Sequence, residues 1–239
     1  TEPVFIGLFG LNGLPPLEKT SGPQSIQQQV EFYVDSKLPG CLDFSKFEAE
    51  GFEIQKEQSK TSVVMGSNDV AVKSKIPLAI INTKTGETTN LNDFSVNLNL
   101  RFKEIYLFAR NLIQSDITNI KFDIGNPSNN VNSFEIELEK DVSEKNDLVI
   151  IEDKKSLIYG EPFQYVFGRK NRAPAIHYIS ADTLDELRDC GFNADDPDED
   201  IPNILCPSFP GSISSPQTFR IEATDGSIQK DWQDITVSS

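Results

Sequence analysis

Apolar residues recur along this chain with two different periods, and the changes between them mark out its elements. Ser25 with Gln28 reads as a capping box, and Ile26, Val30, Tyr33, Val34 and Leu38 then fall on one face of a helix that Pro39-Gly40 should end. From Phe52 to Ile81 the text alternates weakly and predicts strands at "FEIQ", "SVVMG", "DVAVKS" and "IPLAII", followed by a turn at Lys84-Thr85-Gly86-Glu87. "RFKEIYLFARNLIQ", residues 101–114, is the clearest helix, with Phe102, Ile105, Ala109, Leu112 and Ile113 as its apolar stripe. After it the period falls to two. Ile120, Phe122 and Ile124 alternate, then Phe134, Ile136 and Leu138, and "DLVIIED" and "PFQYVFG" follow as short strands. "GRKNRAPAI" reads as a linker into a strand "AIHYI", with Ile176 and Ile179 facing inward. The chain closes on two strands around Asp225-Gly226: Phe219, Ile221 and Ala223 share one face of the first, and Trp232, Asp234 and Thr236 oppose Ile235 and Val237 in the second.

The opening run, "TEPVFIGLFGLNG", poses a separate question. Val4, Ile6 and Leu8 share one face of an extended strand, with Phe5 and Phe9 on the other, and a Gly- and Pro-rich loop follows to residue 23. Three readings stand side by side. The run is the first strand of its own domain, or it inserts into a neighbouring subunit and completes that sheet, or its "GLFG" text is membrane-active. In the second, main-chain hydrogen bonds hold the strand and alternate side chains fill pockets. A head-to-tail contact of that kind gives an open polymer.

Composition narrows the class. Among 239 residues, 37% are hydrophobic and 25% charged, as in folded globular chains. The net charge of -15 argues against nucleic acid, whose phosphates need clustered Lys and Arg, and favours divalent cations. No apolar stretch approaches the roughly 20 residues that span a bilayer. A start at Thr1 suits a mature protein whose signal segment has been removed. Cys190 and Cys206 flank an acidic loop and could close it as a disulfide, which over about 15 residues removes roughly 3 kcal/mol of unfolded-state entropy; the alternative is two unrelated small core residues. Cys41 is left over and is expected to be buried.

"NRAPAI", "DDPDED" and "FRIEATDGSIQKDWQDITV" together resemble the Ig-like, cadherin-like or PKD-like modules of prokaryotic surface proteins. The helix ending near a cysteine and "RFKEIYLFARNLI" are similar to a group of uncharacterised archaeal secreted or membrane-anchored proteins. The resemblance implies a mainly β, multi-domain protein with a few helices and a C-terminal Ig-like β-sandwich. Its parts would be an extended segment and linker over 1–16, a β-rich α+β region over 17–168, and the sandwich over 169–239. A further division near 114 stays open.

Within that frame Asp195, Asp196, Asp198 and Asp200, with Glu199, form the best chemical constellation. Calcium takes six to eight oxygens, and crowded carboxylates repel without a cation; the competing reading is a solvated acidic loop. His177 has no convergent nucleophile, and the sequence carries no GxSxG, HExxH or P-loop motif. A lone Trp232 in a terminal strand is expected in the core. These observations predict an extracellular, non-enzymatic subunit of a cell-surface filament. Val4, Phe5, Ile6, Leu8 and Phe9 would bind the next copy, and calcium would be the one candidate cofactor. The alternative is a monomeric surface module for adhesion or for binding carbohydrate or protein.

Overall fold

The structure is a computed structural model that describes residues 14–19, 25–131, 133–143, 146–198, 200–226 and 230–238. It is mainly β, with 42% strand against 22% helix, in several antiparallel sheets. The five N-terminal residues expected to bind a neighbour lie outside the described residues. Two compact units emerge: Asn12–Arg110 with Glu152–Tyr165, and Asn111–Ile151 with Val166–Ser239 (residues 1–11 being outside the description). The divisions fall at 110/111, 151/152 and 165/166, where the sequence reading set borders at 16/17 and 168/169 and left one open near 114. Each unit is described by itself.

The first unit begins with α1 (Ile26–Cys41). Its capping box forms as read: Ser25 Oγ accepts the Gln28 N–H, and Gln28 Oε1 accepts the Ser25 N–H, both at 3.2 Å. The helix runs on through Pro39 instead of stopping before it, because a proline in the last turn removes few intrahelical bonds. Tyr33, expected on the buried face, is half exposed. The side that packs on the sheet carries polar residues at four-residue spacing: Gln27, Glu31 and Asp35. Cys41, at the end of α1, is exposed, which corrects the expectation of burial.

After α2 (Ser45–Ala49) come four strands: β1 (Phe52–Lys56), β2 (Lys60–Met65), β3 (Val70–Asn82) and β4 (Thr88–Leu98). The text from Val70 to Asn82, read as two strands, is one, because a bulge between Lys75 and Leu78 absorbs Pro77. β3 pairs with β2 through its first half and β1 through its second along one edge, and with β4 along the other. α1 closes the outer edge of β2. Val63 donates its N–H to Glu31 Oε1 at 2.9 Å and accepts Gln27 Nε2 at 2.5 Å, while Thr61 Oγ1 donates to Asp35 Oδ1 at 2.6 Å. The segment ahead of α1 is tied down as well. Pro16 and Leu17 carbonyls accept the N–H groups of Ile26 and Gln27 at 2.9 and 3.0 Å, and Pro15 C=O accepts Tyr106 Oη–H at 2.9 Å.

The amphipathic stripe read at 101–114 forms α3 (Phe102–Thr118), with Ile105, Ala109 and Leu112 buried. Arg101, just ahead of it, ion-pairs with the fully buried Asp153 through Nε at 3.0 Å and through Nη2. Ser156 Oγ donates to Asp153 at 2.5 Å and accepts the Arg101 N–H at 2.9 Å. Phe102 stacks near Phe163 and Tyr165, with ring centroids 5.7 and 5.8 Å apart.

In the second unit residues 119–130 form turns where alternation predicted a strand at 120–124. Asn119 captures the chain, accepting Phe122 N–H on its carbonyl and Lys121 N–H on its side chain, both at 3.0 Å. Three strands form one sheet in sequence order: β5 (Phe134–Ser143), β6 (Asn146–Ile158) and β7 (Glu161–Arg169). "AIHYI" contributes only β8 (Ala175–Ile176), paired with β9 (Ala194–Asp195), with α4 (Leu184–Arg188) between them. β10 (Asn203–Leu205), β11 (Gln217–Thr224) and β12 (Lys230–Val237) make the last sheet, all antiparallel. Its inner side chains, Ile221, Ile235 and Val237, pack with Ile179, Leu184 and Leu187. Trp232 is 54% exposed, on the solvent face beside Arg220, which corrects the expectation of a core tryptophan. Cys190 and Cys206 are bonded, with their Cα atoms 6.2 Å apart. Among the described residues no helix is long and apolar enough to cross a membrane.

Candidate functional site

The densest chemistry is a buried cluster of opposite charges in the second unit. It grows from the end of β7. There Arg169 and Asn171, two residues apart, both turn inward and are 8% and 5% exposed. Arg169 meets three carboxylates. It forks onto Asp116, near the end of α3, through Nε at 3.1 Å and Nη2 at 2.9 Å, and its Nη1 reaches Asp147 on β6 at 3.0 Å and Asp198 at 2.7 Å. Its Nη2 also donates to the Pro197 carbonyl at 2.9 Å.

Arg172 adds a second guanidinium. It donates from Nη1 to the Asp116 carbonyl at 2.6 Å, and from Nη2 to the carboxylates of Asp116 and Asp198 at 3.1 and 3.2 Å. The Arg172 N–H binds Asp198 Oδ2 at 2.6 Å. Asn171 extends the set: its N–H goes to Asn146 Oδ1 at 3.0 Å and its Nδ2 to Asp225 at 2.8 Å. A hollow of about 10 Å³, room for one water molecule, lies against Arg169 and Asp198 under Phe122, Ile124 and Leu138.

Burial and pairing oppose each other here. Burial alone would lower the pKa of Arg169; the hydrogen bonds and charge of Asp116, with Asp198 and Asp147, outweigh it and raise the value. The guanidinium is therefore a permanent cation, and it holds no proton to give at neutral pH. Forked Arg–carboxylate bonds fix geometry as well as charge. The arrangement works as an ionic clamp that fastens the loop after β9 to α3, β6 and β7.

The four acids expected to share a calcium ion are divided among different partners. Asp195 Oδ2 lies 3.2 Å from both Lys121 Nζ and His177 Nε2, and these two, His177 foremost, hold its carboxyl below the ordinary range. Asp196 Oδ1 accepts the N–H groups of Asp198 and Asp200 at 2.8 and 3.2 Å. Burial pushes the Asp196 pKa up, and its Oδ2 is buried with no partner. Asp198 belongs to the arginine clamp, and Glu199 lies outside the described residues. Among the described residues no three His, Cys, Asp or Glu side chains converge on a point fit for a metal.

The disulfide pair stands where it was read, and its bridge closes the loop that carries Asp195, Asp196 and Asp198. Sequence reading missed Asp116, Asp147, Arg169, Arg172 and Asn171. One signal was there: Arg169 and Asn171 continue the period of two from "PFQYVFG" past the last apolar residue.

The chain matches no family model, no curated protein and no solved structure.

Proposed function

We propose that this chain is an extracellular structural protein without enzymatic activity, a subunit of a cell-surface filament in which residues 4–9 of one copy complete a sheet of the next. The observation that carries this reading is the Cys190–Cys206 bridge, because disulfides form and persist outside reducing compartments. The arginine clamp supports it. The charged groups that the second unit gathers are spent on one another, fixing the same loop that the disulfide closes. A loop held by both covalent and ionic links suits a part that bears load. The C-terminal strands over Ile179, Leu187 and Ile221 are, in this reading, the Ig-like sandwich of an archaeal type of surface protein.

Electron microscopy of native material, beside a variant lacking residues 1–12, tests the proposal. Filaments are expected from the full chain and isolated particles from the variant; filaments of unchanged length from the variant would overturn it. A second reading, a monomeric adhesion module, draws on Trp232, half exposed with the Arg220 guanidinium 5.3 Å from its ring and Asp234 paired to that arginine. It is favoured instead if the full chain stays monomeric in light scattering and binds a glycan saturably through Trp232.

A further inference from the structure

The two edges of the first unit's sheet are treated differently. Along β2, side chains of α1 occupy the outward N–H and C=O of the central Val63, and Asp35 accepts the Thr61 hydroxyl beside it. Along the opposite edge β4 offers eleven residues and pairs, among the described residues, with β3 alone. Natural edge strands are kept from pairing by lysines, prolines, bulges or a covering element. β4, "TTNLNDFSVNL", has no lysine and no proline, and Asp93 is its single charge.

Its side chains carry a second anomaly. Phe94, Val96 and Leu98 stand opposite Ser74, Val72 and Val70, and Leu91 stands opposite Leu78 across the bulge. Paired residues share a face, so Phe94, Val96 and Leu98 lie on the side that buries Val70 and Ser74. They are nevertheless 40 to 52% exposed. The core face thus continues onto β4 and stops there half covered.

We propose that the outer edge of β4 is the seat for residues 4–9 of a second copy. This rests on the filament reading above and names its acceptor. Val4, Ile6 and Leu8 repeat at every second residue, as do Phe94, Val96 and Leu98, so a strand laid beside β4 puts three apolar side chains against three. Six extended residues reach roughly 20 Å, within the roughly 36 Å that β4 spans. Residues 4–9 carry no charge, so docking adds no repulsion at an interface between two copies of net charge -15. The donor is also set apart in the chain: six residues lie between Phe9 and the Pro16–Leu17 anchor to α1, Gly10 and Gly13 among them.

The backbone register identifies the bonds. Val63 turns its N–H and C=O away from β3, so Val72 opposite it turns its own toward β4 and meets Val96. Ser95 and Asn97 therefore present theirs to the open edge.

Three changes in the full chain test this. The double substitution Phe94→Lys with Val96→Lys, on exposed sites, is expected to keep the melting temperature and raise the concentration needed for filaments at least tenfold. Ser95→Pro, which removes one outward N–H, is expected to do the same. In a Cys41→Ser background, Ile6→Cys chains mixed with Val96→Cys chains should cross-link on oxidation, and a Ser62→Cys control on the capped β2 edge should not. Filaments formed normally by the lysine variant, or cross-links only between two Val96→Cys chains, overturn the assignment. If the chain lacking residues 1–12 fails to assemble while the β4 variants assemble normally, the acceptor lies elsewhere and strand exchange stands. If that truncated chain assembles, strand exchange itself falls.

Discussion

Arg169 is the residue on which the interior polarity of the second unit converges. Replacing it with Met keeps much of its volume and leaves Asp116, Asp147 and Asp198 buried around an absent cation. Breaking a buried pair in this way costs about 3–5 kcal/mol, so Arg169→Met should lower the urea midpoint sharply. Arg169→Lys should recover only part of the loss, since an ammonium cannot fork onto Asp116 while reaching Asp147. A midpoint for Arg169→Met equal to that of the parent chain would show the clamp to be idle. The sequence made half of this cluster legible. The run of acids is visible in "DDPDED". The guanidinium groups that meet Asp198 come from positions 169 and 172, and a local motif search has no means of pairing residues so far apart in the chain.

Strand β6 carries the same lesson at the scale of an element. Asp147, Val149, Ile151 and Asp153 alternate onto one buried face, so its apolar centre has a carboxylate at each end. "DLVIIED" was readable as a strand from its middle. Its ends look like ordinary polar caps, and only the arginines that meet them turn them into core residues. Burial pushes the Asp153 pKa upward, but the hydrogen bonds of Arg101, Ser156 and the Lys155 N–H overcome this and set it below 3.8. A depressed acid stabilises the fold above its unfolded pKa and loses that contribution as pH falls through the folded value. Stability should therefore be level near neutrality and decline below about pH 4. Asp153→Asn should lower stability at pH 7 and flatten the acid decline, as read from denaturant midpoints at pH 7 and pH 3; an unchanged slope would remove Asp153 from the account. β4 escaped the reading for the opposite reason. Both its faces are exposed, and polar residues interrupt its apolar ones, so neither period stands out. At 120–124 the alternation was genuine, but Asn119 captures the backbone in turns and the strand never starts.

For the whole molecule, 37 acidic against 22 basic residues make every encounter between copies repulsive at long range. Salt shortens that range to about 8 Å at 0.15 M ionic strength. If copies assemble as proposed, through a nearly uncharged strand, assembly should speed up as sodium chloride rises from about 0.01 to 0.15 M, as followed by light scattering; a rate that falls with salt would mean that ion pairs, not apolar side chains, hold the copies together. The mainly β class and the terminal hairpin were legible because each strand's own alternation encodes them. The division into units was not, because its boundaries fall inside α3, β6 and β7, where no Gly- or Pro-rich linker marks a break in the text.

The short stretch from Pro15 to Leu17 gives such a chain a mechanical property. Its three carbonyls are held by Tyr106 of α3 and by the first turn of α1, and α1 in turn is bonded to the edge of β2. A pull on the leader ahead of Leu14 is handed at once to two helices and a sheet. Tension therefore meets several bonds in parallel, so that in the proposed filament a load taken up ahead of Leu14 would pass straight into the frame of the subunit.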